Sequence, residues 1–540
     1  MKKIKLFVIK YKLEIIIVIF SLIFSTWLMF SSFSYENGFM QISTKSWSDF
    51  ASHIPLIRSF SFGNNFPPEY PLFLGPAIKY HFLFFAVVGY LERFGLRIDY
   101  AFNIPSILGF SFLIFMIYIF SKYLFKSKSV GVLSIIFFLF NSSLDFVKFF
   151  TKTPLSLNTP IDIITNKTFP SFGPYDNSVI SAFWNLNIYT NQRHLGLSYA
   201  LSLLLIYFVL KNITNKKISY KYYLLLGVAT GLLFFLNMAV FLMTMIILLC
   251  MLLIFSKNRV KLFILILSTG VIAFPQYLYV ESGPSIFHIK IHVGYLLNRV
   301  DLFSFLNYWW QNIGLNLILI PIGFILSDKT AKKVIISFFT LFMVGNVLQF
   351  SPEIAANHKF FNFFVIIGSM YSAFLIIKLF RKNIKYKLLG ISLVLLLTLS
   401  GIIDFFPIYN DTKINLADYS QNKNILWIKD HTSQKAKFLN TDYLYDTASL
   451  AGRRIFLGWP YFAWSQGYDT TSRDNLRKSL LLTNNFSYFC SNISKYKISF
   501  AEVNTNSQDA KVNINFFNNN FPKVYTNNSN YSIYNLSRCR

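Results

Sequence analysis

The chain is expected to be an all-α polytopic membrane protein of about eleven transmembrane helices with surface helices on the outer side, followed by a C-terminal extracytoplasmic α/β domain. Three observations predict this. Of the 540 residues 54% are hydrophobic and 62 are Phe, too apolar for an ordinary soluble domain. Lysine and arginine gather in six clusters, at 2–12, 122–128, 211–221, 257–261, 329–333 and 378–387, with long apolar runs between them. Beyond about residue 407 the composition turns to Asn, Ser, Lys and Asp, with short β-like runs at 437–439, 454–457 and 497–503.

Cytoplasmic loops carry the Lys/Arg excess, so each cluster marks an inner boundary and each intervening segment lies outside. Spans then fall near 13–33, 101–121, 130–149, 194–210, 222–236, 238–256, 262–280, 313–327, 334–350, 359–379 and 388–406. The first apolar run follows a basic stretch, lacks a small-residue cleavage site and is long enough for the bilayer, so it reads as an uncleaved helix with a cytoplasmic amino terminus. Residues 80–91 are also apolar, but a span there would turn every later basic cluster outward; they are expected to form a helix lying on the outer surface. Only residues 236–238 divide the fifth and sixth spans, and one long tilted helix there would break the parity. The domains are thus 1–406, with a long first outside loop at 34–100, and 407–540; other outside segments are 150–193, 281–312 and 351–358.

A formal charge of +28 arranged at span ends suits anionic lipid headgroups and excludes nucleic acid as the expected partner. Three cysteines rule out a disulfide scaffold; Cys250 lies in an apolar span, while Cys490 and Cys539 share the polar tail and are able to pair if that tail is outside. Richness in Lys, Asn and Ile fits an AT-rich genome and a bacterial cytoplasmic membrane.

The chemistry gathers on one face. All seven histidines fall in outside segments or at outer span ends, and the spans are nearly free of charge at mid-depth, which weighs against an ion or proton pathway. If 46–54 is an interfacial helix, Asp49 and His53 share one face while Trp47, Phe50 and Ile54 enter lipid, and Pro55 ends or kinks the helix. Asp49 is then placed either as a general base toward an acceptor hydroxyl or as a helix cap. Phe66-Pro67-Pro68-Glu69 is a rigid turn that presents Glu69 in a fixed position. Asn191-Gln192-Arg193-His194 and Asn357-His358-Lys359 put cations at outer span ends, against the charge trend; they suit either a lipid phosphate or headgroup snorkelling. His288 and His292 have helical metal-ligand spacing without a motif Glu, and a divalent metal on Asp49, His53 and Glu69 has no supporting spacing. The stretch 451–468, rich in Gly and aromatics, is read either as a glycan-stacking surface or as core.

These residues resemble the GT-C glycosyltransferases, the superfamily that includes aminoarabinose transferases and protein O-mannosyltransferases. The resemblance lies in order and placement: a first helix, a long outside loop with an acid in Ser48-Asp49-Phe50, the Pro67-Pro68-Glu69 turn, and a surface helix at 80–91 before the second span. It implies a polyprenyl-phosphate-linked sugar donor, with the lipid tail in the membrane and inversion at the anomeric carbon. Asp49 takes the acceptor proton, with His53 orienting it. Arg58, Arg193, His358 and Lys359 hold the donor phosphate, and Glu69, His81, Gln192 and His194 contact substrate. The acceptor is a glycan, lipid or protein. Members of the family that use a metal show an acidic pair where this chain offers a single Asp, so the lipid-linked sugar donor is assigned and metal dependence is left open. The alternative is a transporter or flippase of a lipid-linked glycan, which predicts inverted repeats and broken helices at mid-membrane.

Overall fold

A computed structural model describes residues 9–171, 178–213, 219–528 and 530–539. Most of the first basic cluster and 214–218 of the third lie outside the described residues. Among the described residues seven helices are long and apolar enough to cross a membrane: Lys12–Ser32, Ile98–Phe125, His194–Asn212, Ser256–Val280, Lys329–Val347, Ile354–Phe380 and Ile384–Tyr409. Shorter apolar helices at Tyr220–Leu236 and Met238–Ile254 occupy the fifth and sixth predicted spans. They are separate because Asn237 adopts extended backbone and its side chain accepts from the Val240 amide, capping the second helix.

Two predicted spans are built differently. The 130–149 run is the 12-residue helix Lys128–Leu139, a break, and the short helix Asp145–Lys152. Its loop-side half carries Asn141, Ser142 and Ser143, whose side chains hydrogen-bond to Asp404, the Ile313 carbonyl and one another in place of a continued helix. The 313–327 run begins where Leu302–Ile313 meets Asn316–Leu326 at a bend of 85°. Gly314 sits at the bend with φ +55°, against the Ser142 carbonyl, a place with no room for a side chain.

The basic clusters meet at one end of the bundle. Lys122 reaches Glu14 at 2.7 Å, and Lys333 and Lys378 donate to the carbonyls of Ile254 and Leu326, the last residues of their helices. These cations satisfy the free carbonyls at helix C-termini. The long first loop lies at the opposite end. It opens with a hairpin, Phe33–Glu36 against Phe39–Ser43, turned by Asn37 and Gly38, both at positive φ. Lys413–Ala417 adds a third strand, antiparallel to Phe39–Ser43. The chain leaving the last span therefore returns to the start of the first loop.

The Trp47–Ser61 helix follows and runs through Pro55. Proline does not end it, because Phe50, Ala51, Ile54, Leu56, Ile57 and Phe60 are all buried and tertiary packing holds the helix together. For the same reason Phe50 and Ile54 lie in the protein core rather than in lipid. The helix expected at 80–91 is Leu83–Arg93. The β-like runs of the tail become strands Lys437–Leu439, Arg454–Ile455 and Phe500–Asn504. With Lys523–Asn527 and Tyr531–Asn535 they form a five-stranded mixed sheet. Cys490 and Cys539 are joined by a disulfide.

The sheet is fastened to the first loop. The Leu74 amide donates to the Ile455 carbonyl, the Ile455 amide to the Pro71 carbonyl, and the Gly458 amide to the Leu72 carbonyl. Gly452, at φ +78°, packs against the Arg58 carbonyl and the Gly63 amide, and Arg453 donates to the Phe62 carbonyl. Loop and tail thus form one body over the end of the bundle.

Candidate active site

Asp49 lies in the first turn of Trp47–Ser61, and Lys359 in the first turn of the helix His358–Phe380. Both side chains are partly accessible, yet each is surrounded by protein, so they line a recess rather than an outer surface. Among the described residues neither the carboxylate nor the ammonium makes a hydrogen bond or ion pair. Burial pushes the Asp49 carboxyl up to about 6, against the opposing pull of the Lys359 charge. A lysine at the amino end of a helix also stands where the backbone dipole favours an anion. The recess therefore holds an under-solvated base beside an uncompensated cation.

Four of the predicted histidines lie around this pair. The Lys359 charge acts on His53, His81, His194 and His358. His81 Nε2 and His194 Nε2 are 2.8 Å apart, so one ring donates to the other. His53 stands edge-on to His194 at 6.1 Å and lies against Phe85 at 4.7 Å. Burial pushes its imidazole down to about 3 and holds His81 well below the usual range, so both rings are neutral at physiological pH. His358 Nδ1 bonds Asn362 at 2.9 Å and its ring stacks on Phe183.

The remaining predicted residues are engaged elsewhere. Arg58, assigned by resemblance to the donor phosphate, is sealed: its guanidinium pairs with Asp418 at 2.8 Å and Glu92 at 3.2 Å, with all three side chains buried. Arg193 is also inside the protein. It donates to Asn103, Ser32 and the carbonyls of Met29 and Thr190, and lies over the Phe102 ring at 4.6 Å. Glu69 pairs with Arg454 at 2.8 Å and Lys437 at 3.5 Å, fastening the loop to the tail sheet. The Gln192 side-chain oxygen is buried without a hydrogen-bond partner, and no contact brings that side chain to the Asp49 recess. His288 and His292 flank a two-residue strand, Lys290–Ile291, and so do not share a helical face; His292 bonds the Tyr295 carbonyl.

Two residues of the recess were missed by sequence reasoning. Tyr80 and Tyr445 both feel the Asp49 charge. Tyr445 comes from the tail: its hydroxyl donates to the Trp47 carbonyl at 2.5 Å and its ring lies 4.2 Å from the Trp47 ring. No local pattern marks a contact between residues 398 positions apart.

No family model matches the chain, and no curated protein does. Solved structures resemble it in backbone course at low identity. The Archaeoglobus fulgidus oligosaccharyltransferase AglB, in complex with an inhibitory peptide and a dolichol-phosphate, is 11% identical; the match covers 92% of this chain and 70% of that one, with a TM-score of 0.47. The same oligosaccharyltransferase in its apo form is 12% identical over 91% of this chain and 69% of that one, with a TM-score of 0.49. ArnT from Cupriavidus metallidurans, apo, is 10% identical over 90% of this chain and 92% of that one, with a TM-score of 0.45.

Proposed function

We propose that the protein is an inverting glycosyltransferase that moves a sugar from a polyprenyl-phosphate-linked donor to an acceptor on the extracytoplasmic face of the membrane. The observation that carries this reading is the Asp49–Lys359 recess: a base and a cation, each without a hydrogen-bond or ion-pair partner among the described residues, at the end of the bundle away from the basic clusters. The acceptor hydroxyl attacks the anomeric carbon as its proton passes to Asp49. The bond from that carbon to the phosphate oxygen breaks, and its electron pair leaves with the lipid phosphate. Lys359 meets the charge that grows there, assisted by the amino end of its own helix. A carboxyl near 6 is ionised at neutral pH and more basic than an ordinary aspartate, as proton abstraction requires. The neutral imidazoles of His53 and His81 offer hydrogen bonds to sugar hydroxyls without competing for the proton.

The lipid tail has a place nearby. An apolar groove of about 260 Å³ opens among the spans between Ile320, Phe324, Ile336, Phe339, Phe342 and Phe364. Phe364 is five residues below Lys359, about 7.5 Å along the helix axis. This groove is the apolar site we assign to the lipid tail of the donor. Arg58, Arg193 and Glu69 serve the fold.

The test is release of free polyprenyl phosphate by the purified protein from a panel of polyprenyl-phosphate sugars, with crude envelope extract as acceptor and Asp49→Asn in parallel. Release that needs both Asp49 and the extract supports the transferase. Donor binding without release by a folded protein refutes it and favours transport of the lipid-linked glycan.

A further inference from the structure

The tail lays a line of aromatic rings between the two halves of the recess. It starts at Trp47, two residues before Asp49, whose ring packs on Tyr445 at 4.2 Å. Tyr443, on the same loop, stands edge-on to Trp459 at 6.1 Å. Tyr461 follows, and its hydroxyl donates to Glu353 at 3.1 Å. Glu353 in turn caps the Ile354–Asn357 turn that leads into His358 and Lys359. The line therefore connects the helix start that bears the base to the helix start that bears the cation.

Trp47, Tyr443 and Tyr445 are half-buried, and Trp459 and Tyr461 are the exposed rings of the line. The core reading of 451–468 holds for Ile455, Phe456, Leu457, Ala463 and Tyr468, which are buried, whereas Trp459 is 40% exposed and Tyr461 46% exposed. Gly458 packs on Leu72 and Pro460 opens the Pro460–Ser465 helix, so the Trp459 backbone is fixed on both sides. Tyr445 adopts φ +51°, a strained conformation for a residue with a bulky side chain. The surroundings enforce it: Asp446 caps the Thr447–Leu450 helix by accepting from the Ser449 amide, and the Tyr445 hydroxyl is tied to Trp47. Strain maintained at the edge of a recess marks a side chain whose position matters. Asp474 accepts from the Tyr443 hydroxyl at 2.6 Å and pairs with Arg477 and Lys478, so it fixes that ring in place.

Exposed flat apolar faces match a sugar ring, which presents C–H bonds on its face. They suit a peptide less. Peptides dock by adding to an open strand edge, and the edge nearest this rim, Arg454–Ile455, is already covered by residues 71–74 of the first loop. Resting on the transferase reading of the recess, we infer that the acceptor is a saccharide seated face-on against this rim, with Tyr445 as the inner platform and Trp459 as the outer one. The tail then selects the acceptor, and the membrane helices hold the donor.

The test measures binding of neutral tetrasaccharides (gluco-, manno-, galacto- and N-acetylglucosamine-based) to the full-length protein in nanodiscs, without donor, by calorimetry. At least one is expected to bind. Trp459→Ala and Tyr445→Ala are expected to weaken it about tenfold each, and Trp459→Phe to retain most of it. Tyr488→Ala, which removes an exposed aromatic far along the tail, should leave it unchanged. The inference is overturned if no tetrasaccharide binds, if binding ignores Trp459 and Tyr445, or if brominated lipids quench the Trp459 emission and so place the rim among headgroups. Because no turnover is measured, Asp49-dependent release without saccharide binding refutes the rim alone. Saccharide binding without release refutes the transferase alone.

Discussion

Arg58 and Lys359 are both deep cations near the loop-covered end of the bundle, and they are used in opposite ways. Arg58 is closed on every side, paired with Asp418 and Glu92, with Ser61 donating to the same Glu92. Lys359 faces an accessible recess with no protein partner among the described residues. A buried charge that the protein has already neutralised holds the fold together. One that it has left open is available to a ligand, and its desolvation is offset only when an anion arrives. The same contrast separates Glu69, committed to Arg454 and Lys437, from Asp49.

Removing the open charges should affect chemistry most. Asp49→Asn is expected to lower polyprenyl-phosphate release by about 10²- to 10⁴-fold while donor binding persists. Lys359→Gln should lower it by about 10²- to 10³-fold, since developing phosphate charge is no longer met. Unlike Asp49→Asn, it should also weaken donor binding. Equal loss of donor binding in both variants would remove the distinction between base and phosphate ligand.

Breaking the closed charge should affect folding instead. Arg58→Leu leaves two buried carboxylates facing each other, and a cost of about 3–5 kcal/mol is expected in thermal or denaturant unfolding. Release per folded molecule should change little. A variant that folds normally but fails to bind donor would return Arg58 to the phosphate site.

Smaller effects sharpen the electrostatics. Asp49 acts as a base only when deprotonated, and its carboxyl is raised to about 6, so release should rise with pH through about 6 and level off above 7. In Lys359→Gln that limb should move to higher pH, because the neighbouring positive charge that opposed the shift is gone. The sign for stability is the reverse. Asp49 binds its proton more tightly in the folded protein than in the unfolded chain, so ionisation above about pH 4 works against the fold. Asp49→Asn should therefore hold or raise the unfolding temperature at pH 8. Loss of stability in that variant would mean that the carboxylate has a structural partner after all.

The membrane architecture was largely legible in the sequence, because length, hydropathy and basic clustering are local properties. It failed where polar residues in the run, Asn141 to Ser143, had partners elsewhere in the fold. Asn37-Gly38 was a readable hairpin signal that hydropathy overshadowed. Of the candidate site, Asp49, the four histidines and Lys359 were legible as chemistry-bearing residues at one face. Arg58 and Glu69 have the same local appearance. What distinguishes them is contact with Asp418, 360 positions away, and with Arg454, and pairings over such separations leave no trace in local sequence. Tyr445 was invisible for the same reason.

The most direct measurement is equilibrium binding of sugar-free polyprenyl phosphate to the full-length protein in nanodiscs, comparing Lys359→Gln with Arg58→Lys. The account predicts that Lys359→Gln loses most of the binding and that folded Arg58→Lys retains it. Undiminished binding by Lys359→Gln, or loss confined to Arg58→Lys, would contradict it.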